Sequence, residues 1–229
     1  MTNERLTVVI PVYNEEKTVG EMIRQVRAEP HPKQIIVVND GSTDNTESVL
    51  RSLAADGMDI ISYSPNRGKG YALRQAFEKV TGDIVIIQDA DLEYYPDEYG
   101  LLIEKIVQGK ADVVYGTRFV GSHRVFYFYH YLGNFMLNMI ANFILNTTLS
   151  DLMTGAKAFR APVVKSLKLC ANRFGIEAEI TAEVFKRKYR VYEVPVSYSG
   201  RTYEEGKKIT WVDFFRCLAW LLRASMRRI

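Results

Sequence analysis

Along the first half of the chain, short apolar runs alternate with stretches in which apolar residues recur every three or four positions. "LTVVIPVY" (6–13), "QIIVV" (34–38), "DIISY" (59–63), "DIVIIQ" (83–88) and "ADVVYG" (111–116) have the length and Val/Ile richness of strands. Between them, Val19, Met22, Ile23 and Val26 mark one face of a helix over 15–28, and Leu73, Ala76, Phe77 and Val80 mark another. A helix opens at Asp44, with Glu47 three residues on in a capping-box pattern. Pro96 stands near the start of the helix after the fourth strand. Strands alternating with single helices predict an α/β fold with a mainly parallel sheet and right-handed crossovers.

Beyond residue 120 the alternation stops. Residues 125–149 read as a helix with Asn134, Asn138, Asn142 and Asn146 four apart along one stripe, either a polar helix face or a binding code. A further helix is expected over 175–188, "YRVYEVPVSY" (189–198) reads as a late strand, and an amphipathic helix begins at Thr210. Parallel sheets of this kind bind ligands beyond the carboxyl ends of their strands. The residues there are polar each time: "YNE", "NDGSTD", "NRGKG", "DAD" and "TR" follow the five strands in order.

Composition narrows the picture only a little. The 229 residues suit one large domain or a domain with an appendage, and 47% hydrophobic with 25% charged content is that of a globular protein. A net charge of +3 gives no ground for a nucleic-acid partner, although the stretch from Arg201 to Arg228 is basic. The N-terminus lacks the basic start and apolar core of a signal peptide. Cys170 and Cys217 stand far apart in no metal-like spacing, so a cytoplasmic chain with free thiols is expected. No apolar run reaches the roughly 18 residues of a membrane span. No G-x-G-x-x-G follows the first strand, which disfavours a dinucleotide-dependent oxidoreductase.

The fourth strand is apolar on both faces, yet it ends in Asp89 and Asp91. One acid there would be an ordinary turn former or cap. Two spaced D-x-D can share one pocket, where their repulsion is unfavourable without a cation. Hard oxygen ligands select Mg2+ or Mn2+, with phosphate oxygens and waters completing the shell.

Taken in order, "VVIPVYNE", "VVNDGSTDNT", "NRGKGYALRQAF", "DADLEYYPDE" and "YGTRF" resemble the family 2 glycosyltransferases with a GT-A fold. The closer resemblance is to the dolichol-phosphate mannose synthase-like branch, to which "DLMTGAKAF", "YEVPVSY" and "GRTYEEGKKITW" are also similar. The resemblance spans nearly the whole chain. It implies a Rossmann-like GT-A catalytic domain over 1–208 and an amphipathic helix over 209–229. It also implies metal-dependent, inverting transfer of a sugar, mannose or glucose, from a GDP- or UDP-linked donor to a polyprenyl (dolichyl or undecaprenyl) phosphate. The alternative is a family 2 enzyme acting on a glycan or other hydroxyl acceptor.

Carried over residue by residue, the resemblance has Pro11, Tyr13 and Glu15 cradle the nucleoside, with Asp40 on the base or ribose. Asp89 and Asp91 would hold the metal against the donor diphosphate, with Glu93 a further ligand. Arg118, Arg201 and Lys207 would meet phosphates of donor or acceptor, the last two from a Gly-flanked loop that closes over them. Relatives of the branch often carry an arginine and a serine where His130 and Asn134 align, which makes these two the candidate acceptor contacts.

Simpler roles stand beside these. Asn14 can cap the first helix, with Glu15 and Glu16 in its first turn. "NDGSTD" is a good turn and cap without any ligand, and "NRGKG" reads as a turn and helix start near the donor. Glu177 and Glu179 are either acceptor-side carboxylates or part of a helix start. A phosphate monoester has a second pKa of about 6, so a phosphate acceptor is already anionic near neutrality and needs no strong general base. In the tail, Trp211, Phe214, Phe215, Leu218 and Leu222 form one helical face, with Arg216, Arg223, Arg227 and Arg228 as cations. That suits peripheral attachment to the cytoplasmic membrane surface, or docking on the domain's own core or a partner subunit.

Overall fold

Alternate residues of a strand point to opposite sides of its sheet, and here both sides are buried. In the computed structural model, which describes residues 4–54, 58–125, 127–202 and 211–227, Val9, Ile36, Val38, Val85 and Ile87 enter one core. Leu6, Val8, Ile10, Val37, Ile84 and Ile86 enter the other. The strands are β1 (Leu6–Val12), β2 (Lys33–Asp40), β3 (Met58–Tyr63), β4 (Ile84–Ile87), β5 (Val113–Thr117), β6 (Lys157–Arg160) and β7 (Val191–Pro195). Their order is β3-β2-β1-β4-β6-β5-β7. Every pairing is parallel except those of β6, which runs antiparallel to β4 and β5. The mainly parallel α/β sheet is the one expected. β6 was not foreseen, because four residues opening on a lysine carry no readable period.

Helices α1 (Val19–Ala28), α2 (Thr46–Ser52) and α4 (Tyr99–Val107) cover the core that holds Leu6. Helices α3 (Lys69–Phe77), α5 (Phe128–Leu145), α6 (Ala161–Ser166), α7 (Gly175–Lys186) and α8 (Trp211–Met226) cover the other. Two predicted helix starts shift. Asn14 does not cap α1: it takes a left-handed φ of 53°, and its Oδ1 accepts the Thr43 N–H at 2.8 Å, tying the loop after β1 to the loop after β2. The capping box does not form either. Asp44 accepts the Thr46 N–H at 3.0 Å, while Glu47 turns away to Asn39 and Ser62, both at 2.7 Å. In each case a partner on a neighbouring strand or loop outcompetes the local cap.

β4 pairs only with Leu6–Val9 of β1, whereas β1 continues to Val12 beside β2. The Gln88 N–H donates to the Val9 carbonyl at 2.9 Å, and the chain then leaves the sheet. Pro11 lies past that last rung, where β4 no longer needs a donor. The chain runs outward from β1 through β2 to β3, then returns to β4 on the other side of β1. The gap above β4 is thus the point where the topology reverses, the place at which open α/β sheets bind ligands.

α8 docks on α7 and buries Cys217, Leu221 and Ala224. The apolar face expected for it is split. Phe214 and Leu218 pack inward, while Phe215 and Leu222 remain exposed. The Trp211 side chain, Lys207, Arg228 and the 208/209 boundary lie outside the described residues. Among the described residues, no helix is long and apolar enough to cross a membrane.

Candidate active site

The gap between β1 and β4 opens into a cavity of about 400 Å3, walled by the loops after β1, β2 and β4 and by the heads of α3 and α7. Asp89, on leaving β4, meets Lys69 at the start of α3: Nζ lies 2.7 Å from Oδ1 and 3.0 Å from Oδ2. The same ammonium is 2.9 Å from Glu177 Oε1 on α7. The other Glu177 oxygen takes Lys157, a fully buried lysine that also donates to the carbonyls of Leu152, at 3.3 Å, and Thr154. The Asp89 carboxylate rests on the backbone of Gly155, where a Cβ would collide with it. The Gly155 N–H is in turn held by the Tyr94 hydroxyl at 3.0 Å.

Arg201 spans the other acids. Its guanidinium reaches both Glu15 oxygens at 3.1 Å and Asp91 Oδ2 at 3.2 Å, with Nε 3.6 Å from Glu93 Oε1. Five carboxylates (Glu15, Asp89, Asp91, Glu93 and Glu177) are thus tied to three cations (Lys69, Lys157 and Arg201). Among the described residues these acids outnumber the cations tied to them by two. Asp91 registers that excess. Burial, Asp89 and Glu93 push its carboxyl up to about 7 against the pull of Arg201. Glu177 moves the other way: burial disfavours its charge, but Lys157 and Lys69 outweigh it and hold the carboxyl below its ordinary range. Lys157 is held below the usual lysine range by burial, which Glu177 offsets only in part.

The structure brings most of the predicted residues to this cavity. Pro11, Tyr13 and Glu15 line it from the end of β1, and Asp89 and Asp91 from the end of β4. Three others line it with their side chains otherwise engaged. Asp40 accepts the N–H groups of Arg67 and Gly68, both at 2.7 Å, and the Asn66 amide at 2.8 Å, so it builds the turn into α3. Glu93 accepts the Tyr198 hydroxyl at 2.9 Å and the Arg201 N–H at 2.8 Å, so it secures the segment that carries Arg201. Among the described residues, no group of three His, Cys, Asp or Glu side chains is arranged to hold a metal ion. Arg118 is clamped by buried Asp151, with Nε–Oδ2 at 2.7 Å and a second bond at 2.8 Å, and its charge is neutralised there.

His130 and Asn134 do not reach the cavity. They lie on α5, whose asparagine stripe serves the fold instead. Asn138 accepts the Leu152 N–H at 2.9 Å and Asn142 donates to the Leu149 carbonyl at 2.9 Å. Glu179 is likewise structural, accepting the N–H groups of Cys170 and Ala171 at 2.8 and 2.7 Å. Sequence reasoning missed Lys69, Lys157 and Arg173, the last of which lines the cavity from the loop before α7. Lys69 had a signal, a lysine directly after the glycine that opens a helix beyond a strand end; Lys157 had none.

A model of the family described as glycosyl transferase family 2 matches residues 7–168, and the chain belongs to that family. Among solved structures it is similar to glucosyl-3-phosphoglycerate synthase from Mycobacterium tuberculosis. The complex with Mn2+, UDP and glucosyl-3-phosphoglycerate matches with a TM-score of 0.76 at 21% identity, over 97% of this chain and 80% of that one. The complex with Mn2+, UDP-glucose and phosphoglyceric acid matches with a TM-score of 0.75 at 22% identity, over the same shares. At such identities the likeness is one of fold, and the fold is the GT-A sheet expected from the sequence.

Proposed function

We propose that the protein transfers a sugar, mannose or glucose, with inversion from a GDP- or UDP-linked donor to a polyprenyl phosphate, as in the dolichol-phosphate mannose synthase-like branch. The observation that carries the acceptor lies on the surface. α5 leaves Phe128, Tyr129, Phe135, Met139 and Phe143 in solvent, Tyr129 at 84% and Phe143 at 88% exposure. The neighbouring α8 adds Phe215, Leu222 and Met226, with Arg216 and Arg223 exposed among them. Large apolar side chains gathered on two adjacent helices mark an interaction surface, and interleaved arginines suit anionic head groups. On this reading residues 1–208 form the catalytic unit and 209–229 a helix that helps seat it on the cytoplasmic face of a membrane.

Asp89 and Asp91 would hold Mg2+ or Mn2+, and the excess of carboxylates over cations around them among the described residues fits such an ion. The ion would supply Lewis-acid stabilisation to the departing diphosphate. Lys69 and Arg201 concentrate further positive charge at the same end of the cavity, and Lys207 would add to it from the following segment. Pro11, Tyr13 and Glu15 would border the nucleoside. Glu177, ionised and shared by two lysines, is a poor proton acceptor, which suits an acceptor that arrives as an anion.

A second reading has its own support, since the solved relatives hold phosphoglyceric acid or its glucosylated form. On it, the acceptor is the hydroxyl of a small phosphorylated compound. Incubation with labelled GDP-mannose or UDP-glucose, Mn2+ and either undecaprenyl phosphate in detergent or phosphoglyceric acid separates the two. Label that enters the organic phase supports the lipid acceptor; transfer to the water-soluble acceptor alone would refute it.

A further inference from the structure

Among the described residues four cations line the cavity, and three of them are already taken. Lys69 is held by Asp89 and Glu177, Arg118 by Asp151, and Arg201 by Glu15 and Asp91. Arg173 lines the same cavity, is exposed, and among the described residues has no carboxylate partner. A guanidinium left unpaired at the edge of an acid-rich cavity is available to a ligand anion, and its planar fork matches a phosphate.

The loop that carries Arg173 is held firmly. Glu179 takes the N–H groups of Cys170 and Ala171. Arg74 donates to the Ala171 carbonyl at 2.5 Å and to Asn172 Oδ1 at 2.6 Å. The Asn172 carbonyl accepts the Gly70 N–H at 2.8 Å, fixing the loop across the head of α3. The Arg173 stem lies directly over Gly68, where a Cβ would come within 2.8 Å of its Cγ; this glycine also has a φ of 97°, which only glycine adopts freely. Such bracing fixes the backbone and stem that carry the guanidinium before a ligand arrives. Beside it, Phe174 and Met153 give the cavity an apolar edge, and the Phe174 carbonyl touches Cys217 of α8 at 3.6 Å.

We propose that Arg173 binds the phosphate of the acceptor and makes the enzyme selective for phosphorylated acceptors, with the first carbons of the chain against Phe174 and Met153. This deepens the function proposed above and rests on it for the acceptor's class. The phosphate is met on the side of the cavity nearest α8.

The test is calorimetric titration of the full chain, loaded with UDP and Mn2+, with farnesyl phosphate, farnesol and phosphoglyceric acid. Wild type should bind farnesyl phosphate and not farnesol. Arg173→Met should weaken farnesyl phosphate by about 10-fold to 100-fold, the range for a charge-assisted contact, and Arg173→Lys should recover part of it. UDP affinity, measured on the same samples, reports whether the variants are folded. Equal farnesyl phosphate affinity in wild type and Arg173→Met overturns the assignment, and so does wild type that binds no phosphate ligand. An Arg173-dependent loss for phosphoglyceric acid as well assigns the phosphate itself, while a loss confined to farnesyl phosphate assigns the lipid-linked group. Arg173-dependent binding of farnesyl phosphate without sugar transfer to it would sink the proposed reaction and leave Arg173 as an anion site.

Discussion

Replacing Glu177 by glutamine keeps the side chain's shape and removes the one negative charge that Lys69 and Lys157 share. Lys69 retains Asp89 at 2.7 Å. Lys157 has no second carboxylate among the described residues; it is fully buried and keeps only the carbonyls of Leu152 and Thr154. Removing one partner of a buried ion pair costs about 3–5 kcal/mol. For a chain of this length each kcal/mol lowers Tm by about 2–4 °C, so Tm should fall by about 6–20 °C. The pH dependence identifies the cause. Glu177 has a lowered carboxyl pKa, so its contribution is present above the ordinary range for glutamate and lost as pH falls through the folded value. Lys157 has a lowered ammonium pKa, so its burial penalty fades as the pH rises and it deprotonates. The difference between wild type and Glu177→Gln should therefore be largest near neutrality and shrink toward both acid and strongly alkaline pH. Thermal melts followed by circular dichroism across that range provide the check, and the double variant Glu177→Gln/Lys157→Met should recover much of the loss. A deficit below about 1 kcal/mol, the size of an ordinary neutral hydrogen bond, or one that ignores pH would refute the buried-pair reasoning.

Three further outcomes follow from the same geometry. Burial, Asp89 and Glu93 push the Asp91 carboxyl up to about 7, and a proton there competes with a metal ion; Mn2+ affinity measured by calorimetry should rise with pH toward neutrality and level off above it. Gly155→Ala should cut sugar transfer sharply, because the new methyl must displace the Asp89 carboxylate; retention of wild-type kcat would show that Asp89 has room to move. Met139→Asp with Phe143→Asp, at exposed positions of α5, should leave Tm within a degree or two yet abolish sedimentation with anionic vesicles, and unchanged sedimentation would count against α5 as the lipid-facing surface.

The β1-to-β5 succession was legible because burial on both faces leaves a run of Val and Ile that no surface helix shows. The site was legible for a related reason: polar clusters at the end of such runs have nothing to do in a core. Longer-range pairing was not legible. Asp151 is 33 residues from the Arg118 it neutralises, and Glu15 is 186 residues from Arg201, so nothing local announces either pair. His130 and Asn134 were placed by analogy along a segment that departs from the pattern, and the fold puts them on the outer helix instead. The rotation of α8 also escaped prediction. Phe214 and Phe215 are both apolar, and period alone does not say which stripe meets α7.

α7 has ten of its twelve residues buried, three of them glutamates. Each acid serves a different client: Glu177 the cavity lysines, Glu179 the loop that presents Arg173, and Glu183 the bases Lys186 and Arg187. An ordinary surface helix offers an outward stripe on which substitutions drift freely. α7 offers almost none, so a saturation scan should find it the least permissive helix of the chain, with carboxylate-to-amide changes failing as often as changes of size.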